Sequence, residues 1–274
     1  MLYQLNSDIL QKQYQKLSAG GIVLNISSDI VYQTNIFHTS IEEQQKIAEC
    51  LNSIDELIAG EEDKLKELNN HKTGLLQKLF PKNNSSNPEL RFPEFKENWV
   101  KTNFEKLLKY ERPDKYIVDN TNYNIEGTPV LTANKAFILG YSDENFGIYT
   151  KLPVIIFDDF TVDKKYVDFP FKVKSSAIKI LKPQFNDNLK FIYELMRTVK
   201  FSADEHKRYY ISTYQYIDVF VPQQIEEQNK IAECLNSIDE LISAQTEKIE
   251  ALKLHKKGLM QGLFPSLEEV KDEY

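Results

Sequence analysis

Two carboxylates close the apolar run Ile155-Ile156-Phe157-Asp158-Asp159, and Asp163-Lys164-Lys165 follows directly. Acids beside a lysine are what a metal-dependent nuclease needs: carboxylates hold Mg²⁺, and the lysine stabilises charge at phosphate. Here only three or four residues separate the acids, shorter than an acidic-x-Lys nuclease element normally shows. The run therefore reads as a strand end followed by a polar turn. Cys50 and Cys234 each follow a glutamate, as do His71 and His255 a shared pattern of neighbours, and no Cys-x-x-Cys or His-x-x-x-His spacing supports a metal. The cysteines read as packing residues. There is no P-loop, no Gly-x-Gly-x-x-Gly and no Asn/Asp-Pro-Pro-aromatic tetrapeptide, so no catalytic residue is assigned.

A different chemistry recurs. Basic and aromatic residues interleave at Lys109, Tyr110, Arg112, Lys115 and Tyr116, at Asn134, Lys135 and Tyr141, at Lys164, Lys165 and Tyr166, and at Lys207, Arg208, Tyr209 and Tyr210. Lys and Arg anchor phosphates, and Asn, Gln, Arg and Lys can read base edges. Solvated loops have the same composition, so the pattern needs a scaffold to give it meaning.

The scaffold is a repeat. Residues 41–81 and 225–265 match at a constant offset of 184, without a gap, at 27 of 41 positions. Within the first copy Ile47, Leu51, Ile54, Ile58, Leu65, Leu68, Leu75 and Leu79 recur in alternating steps of four and three. Ile231, Leu235, Ile238, Ile242, Ile249, Leu252, Leu259 and Leu263 do so in the second. Glu61 and Lys72 fill the gaps in one seam, Gln245 and Lys256 those in the other. A sustained 3.5-residue period is a coiled-coil seam. Each helix spans roughly 58 Å at about 1.5 Å per residue. A helix of that length cannot bury its stripe alone, so the two copies are expected to pack on each other. Pro81 and Pro265 close both at the same place.

The duplication extends weakly upstream: Leu2-Tyr3-Gln4-Leu5 resembles Ile192-Tyr193-Glu194-Leu195, and Asn25-Ile26-Ser27-Ser28 resembles Tyr210-Ile211-Ser212-Thr213. The unit reads as a globular domain followed by a long helix. Residues 1–40 then correspond to the tail end of a first domain, with Ile22, Val23, Leu24 and Ile26 expected as exposed apolar surface. Residues 41–81 form the first helix, 82–224 a complete domain, 225–265 the second helix and 266–274 an acidic tail. After the polar linker at 82–89, strand-like runs fall at 129–131, 153–157, 171–174 and 177–181, with Lys and Val173 alternating as in a half-buried strand. A helix is expected at 189–198 and a last strand region at 211–221. The fold class is α+β, with a twisted antiparallel or mixed sheet.

Lys plus Arg is 34 against 41 Asp plus Glu, net −7. That excludes binding of nucleic acid by bulk attraction. The acidity lies on the helices and tail, whereas 82–224 carries 21 basic against 19 acidic residues, net +2. No apolar run approaches the length of a membrane span, and the first eight residues lack the basic and apolar regions of a secretory signal. Two cysteines make no disulfide scaffold. The expected compartment is the cytoplasm, with no membrane partner.

Four features carry a resemblance. The run Ile-Glu-Glu-Gln-x-Lys-Ile-Ala-Glu-Cys-Leu-Asn-Ser-Ile-Asp-Glu-Leu-Ile occurs twice, as does His-Lys-x-Gly-Leu-x-Gln-x-Leu-Phe-Pro at 71–81 and 255–265. Leu90-Arg91-Phe92-Pro93-Glu94-Phe95 with Trp99 looks like a domain start, and Ile138-Leu139-Gly140-Tyr141 and Lys174-Ser175-Ser176-Ala177 look like internal signatures. Together they resemble the DNA-specificity subunit of type I restriction–modification systems. The resemblance implies target-recognition domains at the ends of an antiparallel helix pair that acts as a ruler. It implies a chain that reads double-stranded DNA without catalysis, cooperating with methyltransferase and restriction subunits. S-adenosylmethionine, ATP and Mg²⁺ are then expected on those partners, with no cofactor in this chain. The departure is the short first domain, which suggests an N-terminally truncated member, paired with a second copy of itself to read an inverted repeat. A decoy or coiled-coil scaffold that occupies the methyltransferase without productive reading is the alternative. From chemistry, the expected DNA contacts are Lys109, Arg112, Thr132, Asn134, Lys135, Tyr141, Lys164, Lys165, Lys207, Arg208 and Tyr209.

Overall fold

A computed structural model of the chain describes residues 2–17, 28–34, 36, 38–82, 85–134, 136–203 and 207–264. The elements in order are α1 (Leu2–Leu5), α2 (Asp8–Leu17), α3 (Ser28–Gln33), α4 (Ile41–Leu79), β1 (Val100–Asn103), α5 (Phe104–Leu107), β2 (Leu108–Glu111), β3 (Thr128–Leu131), β4 (Ile138–Ser142), β5 (Val154–Asp158), β6 (Lys164–Val167), β7 (Lys172–Val173), β8 (Ile178–Pro183), α6 (Leu189–Thr198), β9 (Asp218–Val221) and α7 (Ile225–Leu263). Two compact units result: residues 1–70 with 239–274, and residues 71–238.

The repeat folds as its period requires. Helices α4 and α7 each run 39 residues between equivalent repeat positions, and they pack against each other. In the first unit their cross-links fix the direction. Asp55 pairs with Lys256 at 2.5 Å, and Glu62 with Lys253 at 2.6 Å. Glu61 meets Gln245. Ascending numbers on one helix face descending numbers on the other, so the pair is antiparallel. The seam positions Leu51, Ile58 and Ile249 are buried, and Ile47, Ile54, Leu65, Leu68, Ile242 and Leu252 are half-buried. Helix α1 lies on this seam through Tyr3, whose hydroxyl donates to Asn52 Oδ1 at 2.5 Å and to Asp55 Oδ2 at 2.8 Å. Lys256 Nζ sits 5.1 Å from the Tyr3 ring centre.

The second unit is built on β5. It is one of the two inner strands of a four-stranded sheet in the order β2-β8-β5-β6, antiparallel throughout. Every residue of β5 is buried, because both faces are covered, and this explains why its sequence is apolar without alternation. Ile155 and Phe157 face one core, with Trp99, Phe104, Phe191, Tyr210 and Tyr214. Val154 and Ile156 face the other, with Tyr149, Phe171, Val173 and Ile180. A three-stranded sheet, β4-β3-β7, closes that second core, with β3 and β7 parallel. Strands β1 and β9 pair separately and bracket the domain's entry and exit.

The strand runs at 129–131, 153–157 and 177–181 match β3, β5 and β8, and α6 spans the expected 189–198. Five details differ. The sheet is not single. Residues 211–217 form turns and a 3₁₀ helix at Tyr214–Tyr216, with strand only from Asp218. There the buried Tyr210 and Tyr214 stand four apart and both point inward, a turn spacing. Lys172 does not alternate outward from Val173: it is fully buried, its ammonium ion-paired to Glu144 at 2.6 Å and donating to Phe146 O at 2.7 Å. The compact unit also reaches beyond 82–224, because Leu75, Leu76, Leu79 and Phe80 of the first helix end, and Ile231, Ala232 and Leu235 of the second helix start, complete its core. Cys234 packs against that core, but Cys50, its repeat counterpart, is exposed and is not a packing residue. The apolar run at 22–26, Pro265 and the tail lie outside the described residues.

Candidate nucleic-acid interface

Strand β2 sets one wall of a surface cavity of about 300 Å³, lined by Tyr110, Arg112, Pro113, Asp114, Ser176, Lys179, Arg208 and Ile211. It joins two of the sequence-predicted residues, Arg112 and Arg208, that stand far apart in the chain. Arg112 is exposed, its guanidinium 2.9 Å from Asp114. Arg208 is exposed and its guanidinium lies 5.6 Å from the centre of the Phe160 ring.

The floor explains how the segment carrying Arg208 is held. Lys179 and Asp159 form a buried ion pair at 3.0 Å. Lys179 Nζ also lies 5.3 Å from the Tyr110 ring centre. The other Asp159 oxygen accepts from the Tyr210 backbone N–H at 2.8 Å, and Asp159 O accepts from Tyr209 N–H at 3.0 Å. A buried charge pair with its remaining lone pairs occupied is rigid. It fastens the segment carrying Arg208 and Ile211 to the end of β5. Asp158 turns inward instead, its Oδ1 accepting from Phe160 N–H at 2.9 Å and Thr161 N–H at 3.0 Å. This shapes the tight β5–β6 turn, in which Val162 takes a positive φ of 62°. Two of the three acids of the nuclease-like run, Asp158 and Asp159, are thus committed to backbone and lysine partners, and Asp163 is exposed. Among the described residues no group of His, Cys, Asp and Glu is placed to hold a metal ion.

The other expected contacts divide by burial. Lys109 and Lys207 are exposed, as is Asn134 in the β3–β4 loop. Lys109 lies on the face of β2 opposite Tyr110, facing Lys182 in register. Tyr141 is half-buried in β4, its backbone bonded to Asn124 in both directions. Lys165 is half-buried with its ammonium 5.8 Å from the Phe137 ring centre. Thr132 is buried, and Tyr209 is buried with its ring 5.2 Å from that of Phe201. Lys164 points inward: its Nζ is 3.4 Å from the Tyr214 hydroxyl and 5.4 Å from that ring's centre. Burial pulls its pKa down to about 8, against the raising influence of Asp163. Lys135 lies outside the described residues. Sequence reasoning missed Ser176, Lys179 and Ile211. Only Asp159 gave a signal, as an acid at the end of an apolar strand that has no reason to be there unless something anchors to it.

At the foot of the domain, Glu227 of α7 is buried and accepts a bidentate pair from Arg91, at 2.7 and 2.8 Å, and a bond from Trp99 Nε1 at 3.0 Å. Gln228 accepts from Asn188 N–H and donates to Asp187, both at 2.9 Å. The helix entrance therefore bolts the domain's beginning and its α6 together.

The antiparallel helix pair of the first unit and the β-rich domain bolted to the start of α7 in the second can each be set beside known proteins. No family model matches the chain. The chain is 41% identical over 162 residues, 55% of its length and 40% of the relative's, to the specificity subunit of the type I restriction enzyme EcoR124I/EcoR124II of Escherichia coli. It is 27% identical over 278 residues, 90% of its length and 63% of the relative's, to the putative type I restriction enzyme MjaX specificity subunit of Methanocaldococcus jannaschii. It thus spans between two fifths and two thirds of these relatives. Its fold matches the S subunit of a type I restriction–modification system from M. genitalium, with a TM-score of 0.64 over 97% of this chain and 72% of that one at 16% identity. By sequence, the chain is similar to type I restriction specificity subunits over part of their length, and its fold is similar to that of a type I S subunit.

Proposed function

We propose that this chain is a non-catalytic, sequence-reading DNA subunit. The domain at 71–238 engages one half-site of duplex DNA, and the helix pair presents that domain to methyltransferase and restriction subunits. The observation that carries the reading is the single cavity lined by both Arg112 and Arg208, from distant parts of the chain. Phosphates and guanine edges both suit arginine. The names of the relatives support it, and the acidic helices suit protein partners better than DNA. S-adenosylmethionine, ATP and Mg²⁺ belong in this reading to the partner subunits. Two copies in one assembly would present two identical domains and read an inverted repeat. Among the described residues no helix is long and apolar enough to cross a membrane.

The test is selection from a random duplex library by the purified chain with a methyltransferase subunit of a type I system. Enrichment of a defined sequence, weakened by Arg112→Ala or Arg208→Ala, is expected. Methyltransferase binding without any enrichment would overturn the DNA-reading role.

A further inference from the structure

The two cavity arginines are held differently. Arg112 rests on Asp114, whereas the Arg208 guanidinium lies over the Phe160 ring. Phe160 is 39% exposed, and Ile211, which lines the same cavity three residues after Arg208, is 52% exposed. Single exposed apolar residues are ordinary on a protein surface. These two are set apart by the bonding that holds them out. In the β5–β6 turn Asp158 binds the Phe160 and Thr161 amides, and Val162 N–H donates to Asp158 O at 3.0 Å. Val162 is thereby turned inward and Phe160 outward. In the segment 208–215, Thr213 N–H donates to Tyr209 O at 3.0 Å, Ser212 Oγ to Arg208 O at 2.7 Å and Gln215 Nε2 to Ile211 O at 2.8 Å. Tyr210 and Tyr214 take the core side of that turn and Ile211 the solvent side. Asp159 ties one turn to the other through the Tyr209 and Tyr210 amides. An arginine and two apolar side chains are thus fixed together from two distant loops.

We infer that Phe160 and Ile211 read the methyl group of a thymine adjacent to a guanine that Arg208 contacts in the major groove. The inference rests on the DNA-reading role proposed above and names what that site selects. Arginine donates two parallel bonds to guanine O6 and N7, and thymine is the base that presents a methyl group in the same groove. The Phe160 ring attracts the Arg208 cation through its face and takes none of its N–H donors. Successive bases lie about 3.4 Å apart along a strand. An apolar side chain packed beside a guanine-bound guanidinium therefore reaches the 5-position of the neighbouring pyrimidine. Cytosine carries only hydrogen there. A phosphate contact by Arg208 would give Phe160 and Ile211 nothing to bury, whereas a methyl group does.

The test uses the full chain with a type I methyltransferase subunit and the duplex it selects from a random library. Each thymine of the selected site is replaced singly by deoxyuridine, which removes the methyl group and keeps every hydrogen bond. One replacement, beside a guanine, is expected to weaken binding about fourfold, the effect of one buried methyl group. Ile211→Ala and Phe160→Ala should weaken binding to the thymine duplex and leave the deoxyuridine duplex nearly unchanged, so that the thymine advantage falls below about twofold. Ile125→Ala, 94% exposed and outside the cavity lining, keeps the advantage. A selected site with no thymine beside a guanine, tolerance of every deoxyuridine, or an advantage that survives both substitutions overturns the inference and leaves the DNA-reading role standing. Failure to enrich any sequence overturns the DNA-reading role, and this inference with it.

Discussion

Glu61 and Gln245 stand 184 residues apart, at the same position of the two repeat copies, and they touch: Gln245 Nε2 donates to the Glu61 carboxylate at 2.6 Å and to the Glu61 carbonyl at 2.9 Å. A residue that meets its own counterpart lies on a local two-fold axis, so the axis of the helix pair passes between these side chains. The seam is polar there because the pair cannot be apolar without losing this mark of register, the role a lone buried polar pair often has in coiled coils. The Gln245 hydrogen bond, ahead of Lys248, holds the Glu61 carboxyl below the usual carboxylate range.

Gln245→Glu should therefore set two carboxylates against each other on the axis. Like charges raise each other's pKa, so the folded state binds more protons than the unfolded one at mildly acid pH. The variant is expected to have a lower urea midpoint than the parent at pH 7, and to recover as pH falls toward about 4.5, near the ordinary glutamate pKa. A midpoint deficit unchanged by pH would mean that shape, not charge, matters at this position.

Glu227 and Glu43 offer a matched comparison, the same residue in the same repeat position. Glu227→Ala strands a partly buried Arg91 and the Trp99 N–H, a loss of about 3–5 kcal/mol. Glu43→Ala removes an exposed side chain and should change stability by less than about 0.5 kcal/mol. Urea denaturation of both variants checks the contrast; equal losses would show that the two entrances are alike in solution.

Gly140 has a φ of 153°, and a Cβ added there would fall 2.4 Å from Tyr123 Cβ. Glycine adopts this backbone freely and other residues do not. Gly140→Ala should cost about 2–4 kcal/mol in thermal or urea unfolding. Tyr123→Ala should not rescue it, because the clash is with the Cβ that alanine keeps.

Lys164 gives a pH dependence with a definite sign. Its folded pKa, near 8, lies below that of an unfolded lysine, about 10.4. Between these values the unfolded chain binds the extra proton, so stability rises with pH across that window. Below about pH 8 the cost of the buried charge is fully present. Tyr210 and Tyr214 are pushed up by burial and act oppositely, but only above their ordinary value near 10. Lys164→Met should stabilise the protein at pH 7 by roughly 1–2 kcal/mol and flatten the rise between about pH 8 and 10. A parent curve that is flat there would place Lys164 in contact with water.

The two long helices were legible in the sequence, because a 3.5-residue seam is a local pattern and the repeat printed it twice; α1, α2, α3 and α5 were not foreseen. Helix α6 was legible too, and the structure caps it with Asn188, whose side chain accepts from Phe191 N–H at 2.9 Å. The burial of Lys172 and Lys179 was not. Each is balanced by an acid distant in sequence or in another loop, Glu144 and Asp159, and a lone lysine in a strand pattern gives no sign of such a partner. The burial of Thr132 and Tyr209 and the half-burial of Lys164 were not legible either: interleaved basic and aromatic residues look alike whether they face solvent or stack inward. Arg112 and Arg208 were recognised singly by type, but only the fold brings them to one cavity.

That cavity yields the most demanding prediction for the proposed DNA contact. Arg208→Ala and Arg112→Ala should each weaken binding. An arginine on phosphate does so alike for all sequences and lowers the salt slope by about one, whereas one on a base edge relaxes a single position by about 1–3 kcal/mol. Asp159→Asn acts differently. It leaves Lys179 buried without its countercharge, a stability loss of about 2–4 kcal/mol, and loosens the segment holding Arg208 without touching any DNA-facing group. DNA affinity should then fall in Asp159→Asn at temperatures where the chain is still folded, with the salt slope kept near that of the parent. A slope that drops as it does in Arg208→Ala would mean that the Lys179–Asp159 pair itself contributes charge to the contact, and that the anchor and the reader are one.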